Sequence, residues 1–202
     1  MIKNLFTYNE NGLATAHQSA EITINGIKGN RSRHRWRQVL ILPESTLRSF
    51  KLNTTDLKEN ILIDSDLDIH ALPSGTAIRI GDAEIRLTFH CEPCNKIKHL
   101  IRPDALRHHR GYLGQVIHAG DIHTGDEVSV LDKRFETIPY TPADRIKWFL
   151  ERQTQPILAA NLVDAIGLPK SYCRALPALL RRNPAIDSSK VIYASARKPR
   201  PD

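Results

Sequence analysis

Between residues 20 and 130 the chain alternates short apolar runs with clusters of Gly, Pro, Asn and Asp. The runs fall at 22–27, 38–42, 61–63, 76–80, 83–89, 114–119 and 127–131. Short alternating or continuous apolar runs cut by turn formers predict the strands of a mainly β barrel or sandwich. Two turns are specific: Ile80-Gly81-Asp82-Ala83 joins two β-like runs, and Gly120-Asp121 with Gly125-Asp126 brackets another connection. Helical patterning interrupts at 44–51 and 102–109. Both stretches are too short to define the fold and predict crossover helices on a barrel.

After Thr137-Ile138-Pro139-Tyr140-Thr141-Pro142 the apolar period changes from two to about 3.6. Thr141 with Asp144 predicts an N-cap, Pro142 takes the favoured first helical position, and Ile146, Phe149 and Leu150 form one apolar face. A second helix is predicted over 157–166, stopped by Gly167. A third runs from about 169 to 182 and ends at Asn183-Pro184, and a last β-like run covers 190–194. Three helices, a tight turn and a strand outline a small winged helix-turn-helix. The expected organisation is a β domain over 1–139 and a helical domain over 140–202.

The 202 residues are 41% hydrophobic and 25% charged, an ordinary globular composition. No stretch approaches the roughly 20 apolar residues that cross a bilayer, and the N-terminus has no signal-peptide pattern, so a soluble cytoplasmic protein is expected. The net charge of +7 is uneven: residues 1–139 carry 18 Lys and Arg against 17 Asp and Glu, whereas residues 140–202 carry 11 against 5. That surplus suits an anionic partner such as nucleic acid, or a merely solvated surface.

Three cysteines are too few for a disulfide framework in a chain of this length. Two lie in Cys91-Glu92-Pro93-Cys94. Cations follow at Lys96, Lys98, His99, Arg107, His108, His109 and Arg110, and cationic surroundings favour a thiolate, the form that soft metals and sulfur transfer require. The same cysteines with His90, His99, His108 or His109 also fit part of a structural zinc site, and Cys91 fits either a redox partner or a small buried residue. Arg31, Arg33, Arg35 and Arg37 repeat at a spacing of two. On a strand they would share a face and suit a phosphate; in a loop they would fold over a ligand, and the bland alternative is a solvated strand. His108 and His109, as neighbours on a helix, do not share a face and read as an exposed helix end.

Gly26-Ile27-Lys28-Gly29-Asn30, His34, Arg37-Gln38-Val39, Glu59-Asn60-Ile61, Leu72-Pro73-Ser74-Gly75-Thr76, Ile80-Gly81-Asp82-Ala83, Cys91-Glu92-Pro93-Cys94, Arg110-Gly111 and Gly125-Asp126-Glu127-Val128 resemble, in that order, the successive motifs of the MOSC domain. Asn30 departs from the acid the family usually has there. The resemblance implies a β-barrel in which Cys94 carries a persulfide sulfur or ligates the molybdenum of a molybdenum cofactor (molybdopterin), with His34, Arg37, Asn60 and Arg110 shaping the anion pocket. It further implies an oxidoreductase or sulfur transferase acting on small N-hydroxylated compounds and served by an external electron or sulfur donor protein. No flavin, haem or iron–sulfur motif is visible, and a pyridoxal phosphate site is not expected.

In the C-terminal part, Ile166-Gly167-Leu168-Pro169, Cys173-Arg174-Ala175-Leu176, Ala178-Leu179-Leu180 and Asn183-Pro184 resemble the helix-turn-helix of methylguanine-DNA methyltransferases and alkyltransferase-like proteins. The resemblance puts Arg174 where an arginine enters the base stack, with Arg181 and Arg182 available to phosphates. Ser188-Ser189-Lys190-Val191 replaces the alkyl-accepting sequence, so alkyl transfer is not expected, and Pro177 is expected to kink its helix. The alternative function is therefore nucleic-acid association with the barrel as a sensor or accessory. A structural cap or dimerisation element is the bland reading of the same module.

Overall fold

The computed structural model describes residues 1–31, 34–94 and 97–193 and divides into two compact units, Met1–Ile138 and Pro139–Asp202. The apolar runs of the first unit lie in strands. The strands are β1 (Ile2–Tyr8), β2 (Ala14–His17), β3 (Ser19–Thr23), β4 (Gly26–Ile27), β5 (Val39–Pro43), β6 (Ile61–Ile63), β7 (Thr76–Ile80), β8 (Ala83–His90), β9 (Tyr112–His118), β10 (Gly120–His123) and β11 (Val128–Arg134), of which β1, β2 and β10 form without such a run. Eight of them form one sheet in the order β11-β7-β8-β9-β5-β6-β1-β2, and β10-β3-β4 form a second. Among the described residues, only β5 and β6 run parallel within the large sheet.

Every residue of β5 is buried, which is what a strand covered on both faces requires. Val39 and Ile41 point into the main core with Leu5, Ile22, Ile61, Ile78, Ile85 and Val116. Leu42 joins Leu47, Leu57, Leu62, Ile97 and Leu106 in a second cluster on the other side, under helix α1 (Glu44–Phe50). Asn60, fully buried, fastens three strands: its Oδ1 accepts from Leu40 N at 3.1 Å and its Nδ2 donates to Phe6 O at 3.1 Å.

Two expectations are corrected here. The sheet does not close into a barrel, since β11 and β2 end the ladder and no strand pairing joins them among the described residues. Backbone bonds still bridge toward that end: Ile2 N donates to Asp126 O at 2.7 Å, Gly125 N donates to Ile2 O at 2.8 Å, and Thr124 N donates to Gln18 O at 2.9 Å. Both edge strands are largely exposed, and β11 carries Asp132, Lys133 and Arg134, the charges that keep an edge in water. The predicted crossover helix at 102–109 is only a 3-10 turn over Pro103–Leu106, ended by the left-handed backbone of His108 at φ 64.

In the second unit, α2 (Pro142–Glu151) starts as expected, with Thr141 accepting from Asp144 N at 3.1 Å and Pro142 at the first position. The second helix is shorter than its pattern: Ile157–Leu158 forms β12, and α3 covers Ala159–Ala165. Helix α4 runs Tyr172–Arg182 with Pro177 inside it. β13 (Val191–Ile192) pairs parallel with β12. A wing is an antiparallel hairpin, so a parallel two-residue pair does not confirm the winged-helix expectation; the end of the predicted 190–194 run lies outside the described residues. Among the described residues no helix is long and apolar enough to cross a membrane.

Glu59 is fully buried beside Asn60. Its Oε1 accepts from Thr55 N at 2.6 Å, and its Oε2 has no hydrogen-bond partner. Burial pushes its carboxyl pKa up, outweighing the Thr55 bond that favours the anion. A carboxyl whose pKa is higher folded than unfolded costs nothing while both states are protonated, and it costs stability as pH rises through the unfolded value toward the folded one. Glu59→Gln keeps the acceptor for Thr55 and removes that cost. The variant should gain on the native chain in urea melts at neutral pH and lose the gain below about pH 4, the ordinary carboxyl range; an equal difference at both pH values would contradict the assignment.

Candidate functional site

The cysteine motif sits on the segment 91–111, which leaves β8 and returns as β9. The base of this excursion is closed by the pairing of His90 with Tyr112 and by Cys91 N donating to Gly111 O at 2.9 Å. Closure brings the two ends of the segment side by side, so Arg110 meets residues far from it in sequence. Gly111 has φ +86, and a Cβ there would stand 2.6 Å from Ile41 O, so only glycine fits between β9 and β5.

Arg110 is buried, and its Nη1 donates to the carbonyl oxygen of Glu92 at 2.6 Å and to Cys94 Sγ at 3.1 Å. Burial works against its charge, but the sulfurs of Cys91 and Cys94, the bond to Cys94 and the Glu92 carboxylate outweigh it and raise the guanidinium pKa above its usual value. Its Nε is buried with no hydrogen-bond partner. Cys94 is half-buried and unbridged. Cys91 is buried, and burial pushes its thiol up despite Arg110 nearby. Such a thiol stays neutral and inert, which favours the small-buried-residue reading of Cys91 over a redox role.

Arg37 enters from the segment before β5. Thr88 Oγ1 donates to Trp36 O at 2.7 Å and so anchors that segment to β8. The Arg37 Nη2 donates to both carboxylate oxygens of Glu92 at 2.8 Å, and its guanidinium lies 5.0 Å from the Phe89 ring centre. Glu92 is thus held twice, by its carboxylate and by its carbonyl. The neighbouring His34 accepts from Trp36 N at 3.3 Å through Nδ1, and its carbonyl accepts from Arg37 N at 2.7 Å.

Cys94, Arg110 and Arg37 are therefore brought together through Glu92, with His34 on the Arg37 segment. Asn60 is not with them; both ends of its amide are taken by strand backbone. The arginine run is not a strand: Arg35 stacks 5.1 Å from the Trp36 ring centre while Arg37 is paired with Glu92, and Arg33 lies outside the described residues, as does Lys96. Arg174, Arg181 and Arg182 are exposed on α4 in the second unit. Among the described residues no group of three or more His, Cys, Asp or Glu is placed to hold a metal, so the structural zinc reading of the cysteine pair gains no support.

Sequence reasoning passed over Glu92 and His70. The signal for Glu92 was an acid between two cysteines in a chain that offers a facing arginine run. His70 gave no signal, since its contacts with His90 and His109, at ring-centre distances of 5.9 and 5.5 Å, are tertiary. Burial, with those two imidazoles, lowers the His70 pKa to about 4, and Gly111 N donates to its Nε2 at 3.2 Å. Tyr112, pushed up to about 12 by burial, donates to Leu72 O at 3.1 Å.

The family model described as the MOSC domain matches residues 29–129. Among solved structures, YiiM from Escherichia coli is 20% identical with a TM-score of 0.51, covering 96% of this chain and 100% of its own. YiiM from Geobacillus stearothermophilus is 12% identical with a TM-score of 0.52, covering 89% and 100%. The YuaD protein from Bacillus subtilis is 16% identical with a TM-score of 0.56, covering 67% and 96%. At these identities the likeness is one of fold. No curated protein matches in sequence.

The burial difference between the two cysteines has a direct readout. Brief treatment of the native protein with iodoacetamide should label Cys94 well before Cys91, as followed by peptide mass spectrometry. Label appearing first on Cys91 would contradict the geometry.

Proposed function

The chain belongs to the MOSC domain family, and on that premise we propose that it binds the molybdenum cofactor through Cys94 and acts as an oxidoreductase on small N-hydroxylated compounds. The observation that carries this reading is the Cys94 Sγ to Arg110 Nη1 contact at 3.1 Å, a soft sulfur ligand beside a fixed cation. The donor set fits such a group. Cys94 is partly accessible, and the buried Nε of Arg110 is a donor that lacks an acceptor. Cys94 would hold the metal, Arg110 and His34 would face the anionic part, and Arg37 would act through Glu92 by fixing the loop. Asn60 would serve by fixing the strands behind it.

When bound, the cofactor supplies two-electron redox chemistry. Reduction of an N-hydroxyl group to the amine breaks the N–O bond, takes up two electrons and two protons and releases water; the electrons would come from an external donor protein. The sulfur-transfer reading uses the same thiol, with Cys94 holding a persulfide received from a sulfur donor protein.

Protein purified from a host that makes the cofactor should contain close to one molybdenum per chain, and Cys94→Ser should lose it while keeping its fold, because a hydroxyl is a hard, high-pKa ligand. Persulfide label on Cys94 without molybdenum would replace this reading by sulfur transfer. Neither metal nor label would end both.

A second reading rests on the exposed arginines of α4 and the positive surplus of residues 140–202. Here the second unit binds nucleic acid. The full chain should then shift labelled duplex DNA with an affinity that falls steeply as salt rises, and Arg181→Gln with Arg182→Gln should flatten that slope. Arg174→Ala should weaken binding by about 1–3 kcal/mol with a smaller change in slope if its side chain stacks on bases. No shift at low salt removes this reading.

A further inference from the structure

The base of the 91–111 segment carries a second set of donors that the cysteine chemistry does not use. His90, the last residue of β8, packs its ring 4.3 Å from that of Tyr112. Its Nε2 lies 3.0 Å from the carbonyl oxygen of His70. A carbonyl oxygen only accepts, so Nε2 carries the hydrogen and Nδ1 presents its lone pair. A ring N–H donated to a backbone carbonyl, fixing tautomer and orientation, is the arrangement found behind metal-ligating histidines.

That Nδ1 faces a second ring nitrogen. The Nδ1 of His108 stands 3.5 Å away, with the two rings perpendicular and their centres 5.2 Å apart. This is long for an N–H···N hydrogen bond. Two imidazole nitrogens each about 2.0–2.1 Å from one tetrahedral ion stand about 3.4 Å apart. The backbone at His108 is left-handed, with φ 64, a conformation a non-glycine residue adopts at a cost and one that clusters at functional sites.

We propose that His90 and His108 chelate a borderline divalent metal ion, of the zinc, nickel or copper class, through their Nδ1 atoms. Imidazole suits these ions, and water completes the coordination, because among the described residues no third protein donor is in place. The ion would be exchangeable, unlike one in a closed structural site. It would also act as a clip: His90 opens the segment that carries Cys94 and His108 lies near its end, so chelation ties the two ends together.

The test uses the full chain with Cys94→Ser, which removes the competing thiol. Calorimetric titration with zinc chloride should show one equivalent bound. Adding His108→Asn, a residue that tolerates the same left-handed backbone, should weaken binding at least tenfold, and adding His109→Ala should leave it unchanged. In the same chain, substoichiometric copper(II) should broaden the ring-proton resonances of His90 and His108 before those of His17 and His123. The proposal is overturned if Cys94→Ser abolishes zinc binding, if His108→Asn binds as tightly as its parent, or if copper first broadens other histidines.

Discussion

The geometry of the site depends on one closure, the pairing of His90 with Tyr112 reinforced by the Cys91 N to Gly111 O hydrogen bond at 2.9 Å. Without it, Cys94 and Arg110 are two ends of a long excursion with no reason to meet. With it, a buried guanidinium is delivered to a sulfur. The closure is steric as well as hydrogen-bonded, because Gly111 sits where any Cβ would run into the Ile41 carbonyl. The same crossing of strands sets the imidazoles of His70, His90 and His108 beside one another.

Charge is arranged around that closure so that each cation has a task. Arg110 serves the Cys94 sulfur and the Glu92 carbonyl, while Arg37 serves the Glu92 carboxylate and the Phe89 face. Glu92 is the joint between them. A guanidinium already paired with a carboxylate is poorly disposed to take a phosphate, so the arginine spacing that suggested an anion fork describes in part a device for holding the cysteine loop. The second unit handles charge differently: Arg145 is fully buried, donating to the carbonyls of Ile166 and Tyr140 at 3.3 Å, whereas Arg174, Arg181 and Arg182 remain exposed. Arg181 and Arg182 also sit in the last turn of α4, where cations complement the helix dipole.

The strands at 38–42, 61–63, 76–80 and 83–89 and the capped start of α2 were legible because each is written in local terms: an apolar run between turn formers, or Thr, Pro and Asp at capping positions. The order of motifs gave the family, and Cys94 stood out as the residue type that soft-ligand chemistry uses, with Arg110 among the cations that follow it. Strand β2 is not marked by the pattern because it is an exposed edge strand of mixed residues, and β1 because its buried positions, Ile2, Leu5, Phe6 and Tyr8, do not alternate.

Local pattern is blind to whatever depends on which elements become neighbours. The sheet's open edges, the burial of Asn60 and Glu59 behind it, the capture of Arg37 by Glu92 and the meeting of His90 with His108 all arise from contacts between segments many residues apart. Residue type and spacing determined most of the strands, the first helix of the second unit and Cys94 as the candidate thiol, because period and capping are properties of consecutive residues. Only the tertiary structure decided which cation reaches that thiol, since hydrogen bonds and charge pairs act over a few ångströms and the chain alone does not say which side chains come that close.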